Sequence, residues 1–220
     1  MNPIYARLPH YFDCEAPLTV LEIGAADGGD TRRLRFTFPH ARIYAFEPDP
    51  RNTYLIRRDK TDELAEVVEA AVGDRDGTAE FQLSSGAPPK GHPLHGIKTW
   101  SYSSSLRKPA KHLEIFPWVK FDRTARVRIV KLDTFAAEQN LGVIDFIWAD
   151  VQGAEDQVVA GGQIALQRTR YVYTEFNREE LYAGQKGLDE IMAMLPGHWE
   201  IAERFGSEDV LLRNVTLTKR

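Results

Sequence analysis

Short apolar runs alternate with amphipathic stretches along most of the 220-residue chain. This alternation is typical of a parallel sheet that is covered by helices on both faces. The apolar runs predict strands over residues 19–23, 42–46, 65–70, 144–149, 171–176, 199–205 and 210–217. The predicted fold class is therefore α/β, with a mostly parallel sheet of seven strands.

The amphipathic stretches predict helices between the strands, over residues 30–38, 50–59, 154–167 and 188–195. Asp30 or Thr31 is a good cap for the first of these helices, and Pro50 fits the first turn of the second. Only a short turn around Gly206 separates the last two strands. We therefore expect these two strands to pair as a C-terminal antiparallel hairpin.

The first predicted strand runs into a glycine turn, Gly24 to Gly29, and the second strand ends on Glu47. An α/β domain holds an adenosine-containing cofactor with this succession of strand, glycine turn, helix and a second strand that ends on an acid. The turn would cradle the cofactor, and Glu47 would bind its ribose hydroxyls. Gly24-x-Ala26-x-x-Gly29 also matches a degenerate dinucleotide fingerprint, so the turn by itself does not choose between cofactors.

Three acids, Glu22, Asp27 and Asp30, surround the glycine turn. A pyrophosphate is bound by backbone N–H groups at a helix N-terminus, and nearby carboxylates would repel it. The amino group and the sulfonium of S-adenosylmethionine are cationic, so the same carboxylates suit that cofactor. The acids therefore favour a methyl donor over a nicotinamide cofactor. The structural alternatives are a solvated strand end for Glu22 and a helix cap for Asp30.

The regular alternation stops between residues 73 and 128, apart from a short strand predicted over residues 78–83. Residues 84–111 are rich in Ser, Gly, Pro and Lys. A structureless loop of this length inside a compact domain either has a function or is disordered. We interpret it as a lid or substrate-recognition segment, with a surface insertion of no function as the alternative. The prediction is one domain over residues 1–220 that carries such an insertion at about residues 84–128.

Charge and composition limit the partners that we expect the protein to bind and the cell compartment that we expect for it. The chain is 43% hydrophobic and 27% charged, as soluble globular proteins are, and none of its apolar runs approaches the roughly 18 residues of a membrane span. Its net charge of −4 gives no general attraction to phosphate backbones, so we expect no nucleic-acid partner. Cys14 is the only cysteine, and residues 1–17 lack the pattern of a secretion signal, which predicts a cytoplasmic setting.

Five blocks of residues carry a resemblance to a known family. They are Leu-Glu-Ile-Gly-Ala at 21–25, Tyr-Ala-Phe-Glu-Pro-Asp-Pro at 44–50, Ala-Ala-Val-Gly-Asp-Arg-Asp-Gly at 70–77, Val-Lys-Leu-Asp at 130–133 and Ile-Asp-Phe-Ile-Trp-Ala-Asp-Val-Gln-Gly-Ala-Glu at 144–155. In this order, and over about residues 18–215, they resemble the FkbM family of S-adenosylmethionine-dependent methyltransferases. Two positions depart from the family's pattern, since Gln152 replaces its usual Glu and Asp27 its usual Asn.

The resemblance implies a Rossmann-like class I methyltransferase fold with S-adenosylmethionine as the cofactor. The glycine turn and the helix after it would surround the methionine part of the cofactor, Glu47 the ribose, and the end of the third strand the adenine. Asp150 ends the fourth strand and would face the transferred methyl group. The residues predicted to bind the cofactor are Glu22, Gly24, Ala25, Asp30, Thr31, Glu47, Pro48, Ala71, Val72, Asp74, Ser104 and Asp150.

Methyl transfer to a hydroxyl group places two demands on the site. The acceptor oxygen must lie about 3 to 3.5 Å from the methyl carbon, in line with the departing sulfur. A neutral hydroxyl is a poor nucleophile, so we also expect a general base. Asp150 and Glu175 end neighbouring predicted strands, which makes Asp150 the first candidate and Glu175 the second, while Glu155 and the loop histidines are alternatives. The predicted activity is O-methylation of a sugar, a glycan or a natural-product small molecule.

Alternative interpretations stay open on sequence alone. Asp150, Glu175 and Asn177 are oxygen ligands of the kind that magnesium prefers, so a divalent cation there is an alternative to direct contacts with acceptor hydroxyls. His92 and His95 are too small a set to predict a metal centre. For the whole chain, the alternatives are an NAD-dependent oxidoreductase and a methyltransferase-like module that binds without catalysis.

Overall fold

The computed structural model describes residues 2–218, and a seven-stranded sheet lies at its centre. The strands of the structure, in chain order, are β1 Thr19–Ile23, β2 Arg42–Phe46, β3 Glu66–Val68, β4 Ala71–Val72, β5 Gly77–Gly86, β6 Val119–Val130, β7 Ile144–Ala149, β8 Thr169–Glu175, β9 Trp199–Phe205 and β10 Asp209–Asn214. The central sheet has the order β3-β2-β1-β7-β8-β10-β9. Its neighbouring strands are parallel except at β10, which runs antiparallel to β8 and β9. The predicted sheet and its C-terminal hairpin are confirmed.

Helices cover both faces of the central sheet. The helices among residues 2–218, of which α4 belongs to the insertion, are α1 Ile4–Arg7, α2 Gly29–Thr37, α3 Pro50–Arg58, α4 His112–Ile115, α5 Leu132–Glu138, α6 Glu155–Gly161, α7 Gln163–Gln167 and α8 Leu188–Met194. Leu21 and Ile23 of β1 pack into one core, whereas Val20 packs into a second core together with Ile4 of α1 and Leu34 of α2. Burial on both faces explains the near-continuous apolar runs of the sequence. Among residues 2–218, no helix combines the length and apolar composition that a membrane crossing requires.

A second sheet of three strands, in the order β4-β6-β5, carries the insertion. β5 and β6 form a long antiparallel pair that encloses residues 87–118, so the predicted insertion has a regular base. β6 was not predicted, although Val127 and Ile129 alternate with the exposed Arg126 and Arg128 in the pattern of a half-buried strand. Val127 lies between the two arginines and Ile129 follows them. Both side chains pack against Phe81 in a separate small core.

Two helix predictions were wrong in detail. Gly28 occupies the N-cap of α2 with a left-handed φ of +77°, which favours glycine, so Asp30 and Thr31 lie inside the helix and neither caps it. The single helix predicted over residues 154–167 is two helices, because Gly162 has a φ of −122°, outside the helical range. The short α1, α4 and α5 were not predicted. The other predicted elements differ from the structure by at most three residues at their ends.

Gly161 is the point at which α6 meets the turn after β4. A Cβ atom at this position would lie 1.9 Å from the carbonyl oxygen of Gly73. We expect Gly161→Ala to lower the free energy of unfolding by about 2 to 4 kcal/mol, since the backbone must shift to relieve the overlap. Urea denaturation followed by circular dichroism measures the change. Gly142→Ala is the matched control because nothing lies within 4 Å of a Cβ there, and equal losses in both variants would contradict the packing argument.

Candidate active site

The carboxyl ends of β1, β2, β7 and β8 meet at one edge of the central sheet, where open α/β sheets bind their ligands. A cleft of about 840 Å³ lies at this edge, and we call it the first cleft. Nine of the twelve residues predicted to bind the cofactor line it: Gly24, Ala25, Asp30, Glu47, Pro48, Ala71, Val72, Ser104 and Asp150. The topology thus brings together residues that are far apart in the sequence.

Two further predicted residues, Glu22 and Thr31, are fully buried next to the glycine turn and do not line the cleft. The Thr31 hydroxyl donates a hydrogen bond to Glu22 Oε2 at 2.5 Å, whereas Glu22 Oε1 has no hydrogen-bond partner among residues 2–218. Burial raises the pKa of Glu22 well above its usual range, and the charges of Asp30, Glu47 and Asp27 raise it further. The alternative of a solvated strand end is therefore wrong, because Glu22 is a buried acid.

Asp74 is the predicted cofactor residue that lies away from the cleft. Its side chain is exposed and forms an ion pair with Arg75 at 2.9 Å. The prediction followed from its position just after β4, but the turn that leads to β5 carries the chain past the cleft. Ala71 and Val72 of β4 are the residues of this segment that reach it.

Glu47 follows β2 and is held at the first cleft by two backbone N–H groups. Ala26 donates to its Oε2 and Asp49 to its Oε1, each at 2.7 Å. Burial raises the pKa of Glu47 to about 8. A carboxyl oxygen can take part in more than one hydrogen bond, so both oxygens retain capacity for the hydroxyl groups of a ligand.

The charge of the first cleft decides which cofactor it fits. Asp27, Asp30, Glu47 and Asp150 line it, and none of the described residues that line it is Lys or Arg, although Arg33 pairs with Asp30 at 2.9 Å from outside the lining. These residues suit the cationic amino group and sulfonium of S-adenosylmethionine, whereas they would repel a pyrophosphate.

Asp150 follows β7 and is fixed by backbone and side-chain contacts. Its N–H donates to the carbonyl oxygen of Ile23 at 2.9 Å, and the Nε2 of Gln152 donates to its Oδ1 at 2.7 Å. The amide oxygen of Gln152 lies 3.0 Å from the hydroxyl of the buried Tyr182, which also lies 2.9 Å from the carbonyl oxygen of Ser103. A chain of contacts therefore links Asp150 with the insertion.

Glu155, another candidate base in the sequence, is engaged elsewhere. Its Oε1 accepts hydrogen bonds from the N–H groups of Val151 and Gly153, each at 3.3 Å. The side chain is buried and lines neither cleft of the site. Glu155 thus supports the turn after Asp150 and is not in a position to contact an acceptor.

A second cleft adjoins the first and shares Tyr102, Asp150 and Gln152 with it. Glu175 and Asn177 line this second cleft. His92, one of the histidines noted in the sequence of the insertion, lines the second cleft, but sequence alone did not indicate His112, Phe116, Trp118 or Glu208, which line it as well. They were missed because the cleft is assembled from separate segments of the chain.

Asp150 and Glu175 end adjacent strands, and their carboxyl groups differ in acidity. Burial raises the pKa of Asp150 to about 6, although the hydrogen bond from Gln152 opposes the shift. Burial, together with the charge of Asp150, raises the pKa of Glu175 to about 9. At neutral pH the pair therefore holds about one proton, and Asp150 is the ionised member.

A buried ion pair anchors the insertion beside the first cleft. Asp49 is fully buried and pairs with Arg51 at 2.5 Å. Arg51 also donates to the carbonyl oxygen of Ser84 at 2.9 Å, and the Ser104 hydroxyl donates to Asp49 Oδ2 at 3.2 Å. Ser104 reaches the first cleft as part of this anchor.

A Rossmann-like sheet with a C-terminal antiparallel hairpin and an acid-lined cleft at its strand ends defines the class of S-adenosylmethionine-dependent methyltransferases. Within that class the chain belongs to the FkbM family, because the Methyltransferase FkbM domain matches residues 22–206. This membership confirms the predicted family and decides for a methyltransferase over an NAD-dependent oxidoreductase.

Individual proteins are similar to this chain to different degrees. 2-O-methyltransferase NoeI from Sinorhizobium fredii (strain NBRC 101917 / NGR234) is 41% identical over 205 residues, which cover 90% of this chain and 80% of NoeI. The structure of precorrin-6y C5,15-methyltransferase from Geobacter metallireducens GS-15 is 11% identical with a TM-score of 0.47, covering 96% of this chain and 88% of that one. The structure of fibrillarin from Aeropyrum pernix, with natively bound S-adenosyl-L-methionine, is 13% identical with a TM-score of 0.47. The match covers 96% of this chain and 73% of the fibrillarin chain.

The anchor at Arg51 generates a prediction about stability. In Arg51→Met the buried carboxylate of Asp49 loses its partner, so we expect the free energy of unfolding to fall by about 2 kcal/mol. Denaturation in urea measures the loss. Arg58→Met is the matched control, because the pair of Arg58 with Asp59 leaves 55% and 42% of the two side chains exposed, and such pairs contribute little. A loss in Arg58→Met as large as that in Arg51→Met would contradict the assignment.

Proposed function

We propose that this protein transfers a methyl group from S-adenosylmethionine to a hydroxyl oxygen of a sugar, a glycan or another small natural product. The observation that carries the proposal is the position of Asp150, which lies in the wall that the two clefts share. An acid there can contact a cofactor on one side and an acceptor on the other. The similarity to a protein named 2-O-methyltransferase NoeI supports oxygen as the methylated atom.

The first cleft is the cofactor site in this proposal. Asp30 and the backbone at Gly24 would hold the methionine part, whose amino group is cationic. Glu47 would bind the ribose, while Ala71 and Val72 offer apolar contacts to adenine. When bound, S-adenosylmethionine supplies a methyl group on a positively charged sulfur, and the acids of the cleft favour the binding of that charge.

Asp150 serves as the general base. It is ionised at neutral pH, and the N–H of Gln152 occupies Oδ1, which leaves Oδ2 to accept the hydroxyl proton of the acceptor. A positioned base contributes a factor of about 10² to 10⁴ in rate. Glu175 has the higher pKa and stays protonated, so it donates a hydrogen bond to the acceptor and does not remove a proton.

The pH dependence of kcat/KM tests these roles. Because the base works ionised, activity should rise with pH through about 6, the pKa of Asp150. Because Glu175 works protonated, activity should fall above about 9. Asp150→Asn should lower kcat about 10²- to 10⁴-fold and abolish the acidic limb, while calorimetry still detects S-adenosylhomocysteine binding. Asp189→Asn, at an exposed position, is the control, and an unaltered profile in Asp150→Asn would remove Asp150 from the mechanism.

The predicted divalent cation is the alternative to this proton transfer. Asp150, Glu175 and Asn177 line the second cleft, but among residues 2–218 no group of three or more His, Cys, Asp or Glu side chains is arranged to hold a metal ion. We expect full methyl-transfer activity after dialysis against EDTA. Activity that is lost on dialysis and restored by Mg²⁺ would instead assign these oxygen ligands to a cation.

The acceptor in this proposal is a small molecule or carbohydrate and not a nucleic acid. Phosphates would approach clefts that are lined by Asp30, Asp150 and Glu208, and the net charge of −4 gives no compensating attraction. The proposal includes the predicted cytoplasmic setting, because the single cysteine, Cys14, gives the chain no intrachain disulfide to depend on.

A further inference from the structure

The second cleft has the composition of a binding site for an uncharged ring. It is formed by the insertion, the residues that follow β8 and the turn between β9 and β10. It meets the first cleft at Tyr102, Asp150 and Gln152. A molecule in the second cleft would therefore contact the same Asp150 that faces the proposed cofactor site.

Aromatic side chains of the insertion line part of this cleft. Trp100 and Trp118 pack edge to face with ring centroids 5.0 Å apart, while His92 and Phe116 pack against Trp118 at 5.5 and 6.4 Å. These contacts hold the rings in place, yet Trp118 remains half-buried. The uncovered face of an aromatic ring is apolar and carries negative electrostatic potential. Such a face suits the C–H groups on one side of a pyranose ring.

Polar groups in the cleft match hydroxyl groups. Glu175 holds a proton at neutral pH and can donate it in a hydrogen bond, and Asn177 can both donate and accept. His112 also lines the cleft, is 2% exposed, and its Nδ1 has no hydrogen-bond partner among residues 2–218. That nitrogen is shielded from solvent, so the hydroxyl contacts of a ligand in the cleft fall to Glu175 and Asn177.

The charged residues of the cleft disfavour an anionic ligand. Besides Glu175, which holds a proton at neutral pH, its carboxyl groups belong to Asp150, Glu179 and Glu208. Arg178 is the only Lys or Arg among the described residues that line it. Lys111 pairs with Glu179 at 2.5 Å, so its positive charge compensates the charge of that acid and of none of the others. A carboxylate or phosphate on the ligand would therefore be repelled.

From these contacts we propose that the second cleft binds an uncharged pyranose ring, with the C–H face of the sugar on Trp118 and its hydroxyls bonded to Glu175 and Asn177. The proposal rests on the proposed function, because it takes the second cleft as the acceptor site. It narrows the acceptor to sugars that carry no acidic group on the ring that is methylated.

Saturation-transfer NMR titrations of the enzyme saturated with S-adenosylhomocysteine test the ligand class. The neutral probes are methyl glycosides of hexoses, 6-deoxyhexoses and N-acetylhexosamines, and the anionic probes are methyl hexuronides and hexose 6-phosphates. We expect at least one neutral glycoside to bind and its anionic counterpart to bind at least tenfold more weakly. Failure of every neutral probe to bind, or tighter binding of the anionic probes, would overturn the proposal.

Variants test the residues. Trp118→Ala should weaken binding of the neutral glycoside at least tenfold, whereas Trp118→Phe should retain most of it. Leu113→Ala is the matched control, because Leu113 lies in α4, is 42% exposed and does not line the cleft. Glu208→Gln should strengthen binding of the anionic probes and leave the neutral probe unchanged. Unaltered neutral binding in a Trp118→Ala protein that still binds S-adenosylhomocysteine would refute the assignment.

The two proposals fail in different ways. If a sugar hydroxyl is methylated with the same KM by Trp118→Ala and by the parent enzyme, the location of the acceptor is wrong and O-methylation stands. If neutral glycosides bind with the expected pattern but none is methylated on oxygen in the presence of S-adenosylmethionine, the acceptor cleft stands and the proposed function is wrong.

Discussion

The close approach of two strand ends fixes the geometry of the site. Gly24, which follows β1, has a left-handed φ of +96°, and a Cβ there would lie 1.9 Å from the carbonyl oxygen of Asp150. The N–H of Asp150 donates to the carbonyl oxygen of Ile23 at 2.9 Å. Only glycine fits this contact. The glycine turn, Asp150 and the wall between the two clefts all take their positions from it.

The site also concentrates buried acids, and this has an energetic cost. Burial raises the pKa of Glu47 from 4.5 to about 8. Within that window the unfolded chain has released its proton whereas the folded chain retains it, so folding loses stability as the pH rises through the window. A cationic ligand in the first cleft favours the ionised carboxylate and offsets the loss. The acids that weaken the fold at neutral pH therefore strengthen the binding of a cationic cofactor.

The central sheet could be predicted because its strands are buried and apolar, so local sequence determines them. Thr19–Ile23, Arg42–Phe46 and Ile144–Ala149 have the predicted ends. The burial of Glu22 could not be predicted, because it depends on Thr31 of α2 being packed over a polar side chain. Chain topology supplied that contact, and no pattern within β1 encodes it.

The second cleft as a whole could not be predicted from local sequence patterns. His112 and Trp118 come from the insertion, Glu175 from the end of β8 and Glu208 from the turn before β10. No local periodicity relates these segments, and only the sheet order brings them together. Family resemblance identified the shared chemistry of the cofactor side, whereas the acceptor side required three-dimensional structure.

The departure from the family pattern at Gln152 is explained by the hydrogen bond that this residue makes. A glutamate can donate to Asp150 only when it is protonated, and when ionised it would repel the Asp150 carboxylate. The amide of Gln152 donates at every pH, and its N–H lowers the pKa of Asp150 against the burial that raises it. Gln152 has a left-handed φ of +55°, which is uncommon for a residue other than glycine, and its amide oxygen lies 3.0 Å from the Tyr182 hydroxyl. The glutamine therefore keeps Asp150 ionised and oriented, so this departure is compatible with catalysis and does not indicate its loss.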